Sequence, residues 1–528
     1  MPSRLILALA SAALLVISFP NFNQPYCAWV AFVPWLTALR GMTPRQAFGW
    51  SYLVGLVFFL GSIWWLVHLT PFGGAAAVLG WLLLCAYLAL FFACFGCVAS
   101  RLLTTYYSLL TVPSAWVALE YLRSHLLTGF GWNLLGYSQA PALSAIQVAD
   151  LTGVWGVSFL LVLMNAAIAD WIADSRARRH RIGVAVAVLG VAASWAYGDY
   201  RLKQPVKGTP VRIAVVQGNI PQEAKWDAQF QESIIEQYAR LTRQAQTQQP
   251  DLILWPETSV PGVLGLQETV TARIGEVARA TRAPLVVGAP MGVVRDGVWR
   301  LTNSAALVER DGTIATRYNK LHLVPFGEFV PFESAAPWLR DILPTIGSFI
   351  PGTDYTVFTV PSRLRFSVLI CFEDLFPDLA RRFVRGGARL LATITNDAWF
   401  GPTAAAYQHA QASTFRAVEL RVPMVRAANT GWSGCIDACG RWLASVRDAR
   451  GEELFVEGVA VCEVTAGEAV TLYRRWGDWF AWLCLLGCLW WAIFAIIPPP
   501  ASFANGEHRP DGPIAAYGGE AGGGIMKH

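Results

Sequence analysis

Cys371 stands among acidic residues, and this placement raises the question of what chemistry its thiol could do. It ends the apolar run of SVLICFEDLFP and is followed at once by Glu373 and Asp374. Nearby carboxylates disfavour a thiolate, because they raise the energy of a second negative charge. The cysteine is therefore either a buried structural thiol at a strand end or a nucleophile that depends on a base and a cation from elsewhere in the chain.

Two other segments hold the base and the cation that a nucleophilic cysteine requires. LILWPETSVPG places Glu257 just beyond a short apolar run, and RYNKLHLVPFGEFVP places Lys320 before a loop that contains Glu328. A glutamate in a turn or a lysine in a loop is usually a solvated residue. Taken together, however, the three segments predict a Glu–Lys–Cys set that forms a covalent intermediate.

Each member of this set has a distinct role. Glu257 is the predicted general base toward the Cys371 thiol, and Lys320 stabilises both the thiolate and the oxyanion of a tetrahedral intermediate. At ~4 Å and an effective dielectric of about 20, one pair of unit charges is worth roughly 4 kcal/mol, which offsets one neighbouring carboxylate. We therefore expect Glu328 and Glu373 to orient Lys320 and to balance its charge.

Strands and helices alternate in the region that carries these residues, which extends from 203 to 475. Runs typical of buried strands lie at 211–217, 252–255, 284–289, 305–308, 366–370 and 390–395. Apolar residues at spacings of three and four predict a helix between the first two runs; they are Trp226, Phe230, Ile234, Tyr238 and Leu241. This alternation indicates a layered α/β fold, whose strand ends carry the functional side chains.

The rest of the chain has the composition of a membrane protein. Of 528 residues, 54% are apolar and 15% are charged, against roughly 25% charged in ordinary globular chains. Runs of membrane-spanning character lie at 5–19, 27–39, 47–69, 75–100, 102–119, 152–169, 182–198 and 479–497. The first two form either a hairpin of two spans or a single re-entrant element. The sequence thus predicts a seven-span bundle at 1–202, an outer domain at 203–475, a last span at 476–497 and a disordered tail at 498–528.

Basic residues fall in alternate connections between the apolar runs. They are Arg4, Arg40, Arg45, Arg101, Arg176, Arg178, Arg179 and Arg181. Because basic loops remain in the cytoplasm, we expect both termini inside and the region 203–475 on the outer face. Arg474 and Arg475 oppose this orientation, but the larger basic group at 176–181 outweighs them.

The cysteines indicate neither a disulfide scaffold nor a metal site. Six of the ten lie in apolar runs, and the outer domain keeps Cys371, Cys435, Cys439 and Cys462. Outside the cytoplasm Cys435 and Cys439 could pair, although their spacing fits no metal motif. A phosphate-binding glycine loop, a dinucleotide fingerprint and a basic stripe with aromatics are also missing from the sequence, so we expect no cofactor, no metal and no nucleic acid.

Several longer motifs, in one order, resemble the apolipoprotein N-acyltransferases, a membrane-embedded family of the nitrilase superfamily. They are QGNIPQEAKWD (217–227), WPET (255–258), YNKLHLVPFGEFVP (318–331), CFE (371–373), NDAWFG (396–401) and HAQASTFRAVEL (409–420). The resemblance covers nearly the whole chain apart from its tail. It implies a nitrilase-like αββα sandwich beside a multi-span α-helical bundle, with Glu257, Lys320 and Cys371 as the catalytic set. Family members commonly carry Tyr after the nucleophile, and here Phe372 must serve through its ring or its backbone amide.

The reaction that this resemblance implies takes place in the outer leaflet of a bacterial inner membrane. A phospholipid, typically phosphatidylethanolamine, would give its sn-1 acyl chain to Cys371, and the α-amine of a diacylated lipoprotein would then take the chain as an amide. Each CH₂ exposed to water would cost about 0.8 kcal/mol, so the site should open at the bilayer surface. We expect the enzyme to be a monomer.

Four segments are candidates for contact with the substrates. We expect 326–350 and 398–407, the latter with Trp399 and Phe400, to be mobile lid or membrane-dipping loops; the alternative is that they pack on the domain. Trp226 either holds an acyl chain or belongs to a helix core. The stretch 129–139, with Gly136 and Tyr137, either lines a lipid access route or is a structural loop.

Two rival functions use the same sequence features. A membrane-tethered amidase would hydrolyse an amide with the same three residues, and exclusion of water from the thioester separates the two reactions. A transporter whose outer domain only binds ligand should carry charges at the middle of its spans, and these spans hold almost none.

Overall fold

The computed structural model describes residues 2–103, 105, 107–331, 349–360 and 364–496 of the chain. Its contacts divide the chain into two compact units, Met1–Cys488 and Leu489–His528. The described part of the second unit is helical and ends at Ile496. The first unit consists of a helical N-terminal part and an α/β part.

Apolar helices build the N-terminal part. They are α1 (Pro2–Ile17), α2 (Phe32–Leu39), α3 (Pro44–Ser62), α4 (Thr70–Leu102), α5 (Ser108–Arg123), α6 (Leu143–Ile146), α7 (Ala149–Thr152), α8 (Val154–Ala173) and α9 (Arg178–Lys203). Within the described residues, the helices long and apolar enough to cross a membrane are Trp64–Leu102, Val154–Ala173 and Arg178–Lys203. The helical membrane part is thus confirmed, whereas the eight spans and the domain boundaries stay predictions.

Aromatic side chains fill the interior of this helical part. Trp35 stacks on Phe92 with 5.5 Å between ring centroids, and Trp116 meets Phe32 and Phe92 edge-on. At Gly55 an added Cβ would come within 2.7 Å of the Phe92 Cβ, so α3 and α4 approach closely there. Helices in lipid depend on such packing, because lipid tails give them no hydrophobic drive to associate.

The α/β part contains two six-stranded sheets. The strands are β1 (Gly208–Gln217), β2 (Leu252–Leu254), β3 (Leu285–Arg295), β4 (Val298–Val308), β5 (Ile314–Asn319), β6 (Phe358–Thr359), β7 (Arg365–Ile370), β8 (Leu390–Thr395), β9 (Met424–Ala428), β10 (Gly434–Ile436), β11 (Trp442–Ser445) and β12 (Gly458–Gly467). One sheet has the order β12-β1-β2-β3-β4-β5 and the other β11-β10-β9-β8-β7-β6. Strands β1, β2 and β3 are parallel, as are β7, β8 and β9.

Helices cover the outer face of each sheet. They are α10 (Gln231–Gln246), α11 (Glu268–Arg279), α12 (Pro377–Arg385) and α13 (Ala405–Leu420). Helices α14 (Leu472–Trp476) and α15 (Trp479–Ile496) follow β12 in the chain. Along β1, Ile213 and Val215 point into the core between the sheets, whereas Ala214 and Val216 belong to the core under α10 and α11. This alternation is the period of two that a strand imposes. The predicted αββα sandwich is confirmed.

The first helix of the α/β part begins later than the sequence pattern predicts. Helix α10 starts at Gln231, and Trp226 lies in a separate 3-10 turn with 50% of its surface exposed. The Asp227 side chain accepts a hydrogen bond from the Gln229 N–H, which closes another short turn before the helix. Such local bonds compete with helix formation.

The disulfide in the α/β part also differs from the pairing considered for the sequence. Cys435 bonds to Cys462 and not to Cys439, and this joins β10 of one sheet to β12 of the other. Cys439 is a free, buried thiol 3.6 Å from Arg421 Nη1. Closeness in the sequence did not predict this pairing, because the partner of Cys435 lies in the other sheet.

Candidate active site

Each of the three predicted catalytic residues follows the end of a strand. Glu257 comes after β2 by way of Trp255 and Pro256, Lys320 comes directly after β5, and Cys371 directly after β7. Layered α/β folds build their sites at such ends, because the side chains that follow neighbouring strands meet there. Strands β2 and β5 belong to one sheet, and β7 belongs to the other. The two facing sheets therefore bring these three strand ends toward one region.

Two carboxylates, one ammonium and one amide form the centre of this region. Lys320 Nζ is 2.9 Å from Glu328 Oε2 and 3.5 Å from Glu257 Oε1. Asn303 Nδ2 donates to Glu257 Oε1 and to Glu328 Oε1, each at 2.7 Å. All four side chains are buried. Sequence reasoning missed Asn303, although the polar run Thr302–Ser304 inside an otherwise apolar strand was a signal of it.

The nucleophile candidate has an unusual backbone conformation. Cys371 has a φ of +58°, in the left-handed region, which costs roughly 1–2 kcal/mol for a residue with a side chain. Its carbonyl oxygen lies 3.2 Å from His409 Nε2, and the Ile370 N–H donates to Glu373 at 2.8 Å. These contacts hold the sharp change from β7 into a 3-10 turn, so the thiol is presented beyond the sheet edge.

Charge and burial act against each other at the thiol. Burial raises the pKa of the Cys371 thiol well above its ordinary value, Glu257 raises it further, and Lys320 and a hydrogen bond with Thr395 oppose the rise. For Lys320, burial alone would lower the pKa, but Glu328 and Glu257 outweigh it and raise the pKa of the ammonium. The resting site therefore holds a neutral thiol beside a charged ammonium.

Glu373 connects the two loops of the site and makes its hydrogen bonds to groups other than the lysine ammonium. Its carboxylate accepts from the Tyr318 hydroxyl at 2.9 Å and from the N–H groups of Leu321 and His322 at 2.8 and 3.0 Å. It also accepts from the N–H of Ile370. Burial raises the pKa of Glu373 to about 7 despite these donors. Glu373 thus fixes both loops, and its expected role in orienting Lys320 and balancing its charge stays a prediction.

Comparison with known proteins places the chain in a family. Residues 11–167 match the apolipoprotein N-acyltransferase N-terminal domain, and residues 212–466 match the carbon-nitrogen hydrolase family. An apolipoprotein N-acyltransferase of Geobacter metallireducens is 40% identical over 495 residues, which cover 91% of this chain and 93% of the relative. That of Methylococcus capsulatus is 34% identical and covers 90% of this chain and 93% of its own. The chain belongs to the apolipoprotein N-acyltransferase family.

As an apolipoprotein N-acyltransferase family member, the chain is an acyltransferase that joins membrane helices to a carbon-nitrogen hydrolase domain. Among solved structures, the nitrilase-superfamily protein Nit3 of Saccharomyces cerevisiae is similar at 19% identity with a TM-score of 0.37. It covers 49% of this chain and 91% of its own.

A buried set of charges lies next to Cys371 in this family member, and sequence reasoning did not identify it. Asp374 accepts from His409 Nε2 at 2.8 Å and from Arg426 Nη1 and the Ser413 hydroxyl at 2.5 Å. His409 Nδ1 also lies 3.3 Å from Asp397 Oδ1. Burial opposes the charge on His409, but Asp374 outweighs it and raises the pKa of the imidazole to about 9. The motifs NDAWFG and HAQASTFRAVEL carried this signal.

Helix α13, which carries His409, also connects the site to the N-terminal helices. All of its residues except Tyr407 are buried. Gln408 accepts hydrogen bonds from the indole N–H groups of Trp65 and Trp132 at 3.1 and 2.8 Å. Its amide nitrogen donates to the carbonyl oxygens of Pro20 and Ser62. Adjacent residues of one helix thus contact the membrane helices and the catalytic region.

The aromatic residues expected at the mouth of the site lie in two kinds of surroundings. Trp399 meets Phe72 edge-on at 4.8 Å between ring centroids, and Phe400 meets Trp65 at 4.6 Å. Both are half-buried against the N-terminal helices, whereas Trp226 is half-exposed. The other expected loop is 326–350, and its residues 332–348 lie outside the described part of the chain.

Gly136 and Tyr137 are packed inside the protein. The Gly136 N–H donates to the Ser158 hydroxyl at 3.0 Å. Tyr137 is 1% exposed, meets the Phe415 ring, and its hydroxyl accepts from Arg416 at 3.3 Å. These contacts agree with the alternative of a structural loop, and the structure does not bring this pair to the catalytic side chains.

Two more side chains contact the predicted catalytic residues. The Phe372 ring centroid lies 5.4 Å from Lys320 Nζ, at the distance of a cation–π contact. Lys225, which sequence reasoning passed over, is 3% exposed and its ammonium lies 3.3 Å from the main-chain oxygen of Glu257. Burial lowers the pKa of Lys225 to about 7, although Glu257 opposes the decrease. Among the described residues, no group of His, Cys, Asp and Glu is arranged to hold a metal ion.

Proposed function

We propose that this enzyme moves an acyl chain from a phospholipid, through a thioester on Cys371, to the N-terminal amine of a diacylated lipoprotein. The observation that supports it most directly is the buried ammonium of Lys320 between Glu257 and Glu328, with its charge acting on the Cys371 thiol. Acyl transfer needs a base, a cation for the oxyanion and a thiol, and these side chains supply them.

In the first half-reaction, the sulfur attacks the ester carbonyl of the phospholipid. Glu257 takes the thiol proton as the C–S bond forms, and Lys320 stabilises the negative oxygen of the tetrahedral intermediate. The backbone N–H of Phe372 is the proposed second donor to that oxygen. The C–O bond then breaks, Glu257 returns the proton to the leaving oxygen, and a lysophospholipid departs while the acyl chain stays on Cys371.

In the second half-reaction, the free amine of the lipoprotein attacks the thioester carbonyl. The C–N bond forms, Glu257 accepts a proton from the nitrogen, and Lys320 again stabilises the oxyanion. The C–S bond breaks and the proton returns to the Cys371 sulfur, so the thiol is restored. Because the two substrates react in turn with one sulfur, the kinetics are ping-pong.

The surroundings of the site support a position at the outer surface of a bacterial inner membrane. Trp399 and Phe400 rest on apolar N-terminal helices, which keeps lipid tails out of water as they reach the thiol. The disulfide between Cys435 and Cys462 suits an oxidising compartment. We therefore propose a periplasmic catalytic domain. The basic loops favour cytoplasmic termini, and the family resemblance favours phosphatidylethanolamine as the donor.

The test uses the full chain in phospholipid-containing micelles with labelled phosphatidylethanolamine and a synthetic diacylated lipopeptide. We expect an acyl adduct on Cys371 by intact-protein mass spectrometry, release of lysophospholipid, and amide product when the lipopeptide is added. Cys371→Ser should form neither adduct nor amide, whereas Cys439→Ser, at another buried free thiol, should form both. Free fatty acid in place of the amide would make the enzyme a hydrolase and refute the proposal.

A further inference from the structure

Lys225 carries a buried amine that no step of the proposed reaction uses. It lies in the loop after β1 and is 3% exposed. Its Nζ is 3.3 Å from the main-chain oxygen of Glu257 and 3.3 Å from the hydroxyl of Thr258. Removing an ammonium from water is unfavourable unless its partners compensate, so its position calls for a reason beyond solvation.

The turn that Lys225 contacts has a strained backbone. Thr258 has a φ of +47°, and a β-branched residue is a true outlier in the left-handed region. Such a conformation persists only where the surroundings hold it. Since Thr258 directly follows Glu257, the strain belongs to the segment that directs the proposed general base.

The opposite side of the same turn is held by β3. At Gly288, an added Cβ would lie 2.7 Å from the Glu257 Cα and 2.8 Å from the Thr258 nitrogen. The Val260 N–H donates to the Gly288 oxygen at 3.1 Å. The turn therefore lies between a glycine of the sheet and the ammonium of Lys225.

The loop that carries Lys225 is itself fixed to the second sheet. Asn396 Nδ2 donates to Gln222 Oε1 at 2.6 Å, and the Ile220 N–H donates to Asn429 Oδ1 at 3.0 Å. Asn396 and Asn429 directly follow β8 and β9. The loop thus spans from the side of the sandwich that holds the nucleophile to the side that holds Glu257.

We infer that Lys225 is a positioning residue, which fixes the strained Glu257–Thr258 turn so that the Glu257 carboxylate remains directed at the reacting sulfur. This inference rests on the proposed function, because it assumes that Glu257 is the general base. Lys320 and Asn303 hold the Glu257 carboxylate, whereas Lys225 holds its main chain. The neighbouring Trp226 is half-exposed and is left free to contact substrate.

The first measurement compares Lys225→Met with wild type and with Lys207→Met, which removes an exposed lysine. We expect Lys225→Met to lower the rate constant of Cys371 acylation at saturating phospholipid by roughly 100-fold, as a misplaced catalytic group does. The KM for phospholipid should stay within about two-fold, since uniform binding is untouched. Lys207→Met should match wild type in both.

The second measurement tests whether Lys225 acts through the turn. Glycine adopts a positive φ at no steric cost, so Thr258→Gly should keep the turn in place without help. We expect Lys225→Met/Thr258→Gly to regain roughly ten-fold of the lost rate, and to differ little from Thr258→Gly alone. The comparison of the double variant with Thr258→Gly tests whether Lys225 acts through the turn, even if Lys225→Met alone does not fold.

Acylation by Lys225→Met at the wild-type rate would overturn the inference. So would a double variant that stays as slow as, or folds as poorly as, Lys225→Met, because the lysine would then act elsewhere. In either case a Cys371 adduct in wild type leaves the proposed function intact. A wild type that forms no adduct would instead refute the proposed function.

Discussion

Asn303 offers the sharpest test of how the two buried carboxylates are held. Its side-chain amide donates to Glu257 and Glu328 at 2.7 Å each, while its main-chain oxygen accepts from the Lys320 N–H at 2.8 Å. Asn303→Leu removes the first two bonds, keeps a similar volume and leaves the main-chain bond intact. The substitution therefore separates side-chain support from strand register.

The expected loss of acylation rate in Asn303→Leu follows from the negative charge on the two carboxylates that accept these hydrogen bonds. A hydrogen bond to a charged group contributes about 1.5–3 kcal/mol, and only the bond to Glu257 orients the proposed base. Each 1.36 kcal/mol is a factor of ten in rate, so acylation of the nucleophile should slow by about 10- to 100-fold. Loss of the bond to Glu328 adds to the decrease in stability, because that carboxylate stays buried with one donor fewer.

The assay is single-turnover acylation from phospholipid, followed by intact-protein mass spectrometry, with thermal unfolding measured in the same detergent. The control is Asn165→Leu, which removes a fully buried asparagine with hydrogen bonds to Phe32 and Ala28 in the N-terminal helices. It should lower the unfolding midpoint without a matching loss of rate in the protein that remains folded. Equal rate losses in the two variants, or wild-type acylation by Asn303→Leu, would refute the reasoning.

Three further substitutions probe separate parts of the site. Lys320→Met leaves Glu257 and Glu328 without their buried cation, so we expect no detectable acylation and a loss of about 3–5 kcal/mol in stability. Normal turnover by this variant would rule out the ammonium as the group that stabilises the oxyanion. The pKa of His409 is raised from 6.5 to about 9, so its stabilisation is complete below pH 6.5 and is lost as pH rises through about 9, by at most about 3 kcal/mol. His409→Gln should flatten that part of the curve of unfolding midpoint against pH, and an unchanged slope would contradict a charged imidazole. Phe400→Ala should raise the KM for phospholipid several-fold while a small thiol reagent still modifies the nucleophile at the wild-type rate; an unchanged KM would exclude a part in lipid binding.

The residues at strand ends were within reach of sequence reasoning. The period of two in VRIAVVQ and the polar residues after apolar runs predict strands with functional ends, and Glu257 and Lys320 do lie 3.5 Å apart. Functional side chains of layered α/β folds follow strand ends, so a polar residue just past a predicted strand is a candidate for the site. The same alternation predicted a layered α/β fold, whereas the αββα arrangement was implied by the family resemblance.

The contacts of the supporting residues could not be predicted, because they join segments that are distant in the sequence. Asn303 sits inside a strand, where the sequence gives no sign of which carboxylates lie across from it. Lys225 belongs to the motif QGNIPQEAKWD, in which sequence reasoning considered Trp226 instead. The burial of a lysine depends on the loop that folds over it, which the sequence pattern does not show. Cys462 likewise became the partner of Cys435 through packing of the two sheets.

The buried state of α13 has a consequence for protein engineering. A gene fragment that encodes only the hydrolase-like region would leave Gln408 without its hydrogen bonds from Trp65 and Trp132, and would expose a surface that is buried in the intact protein. Chimeras between relatives should therefore take Trp65, Trp132 and Gln408 from the same parent protein. A water-soluble version of this catalyst calls for a redesigned exterior on that helix, since trimming the chain cannot supply one.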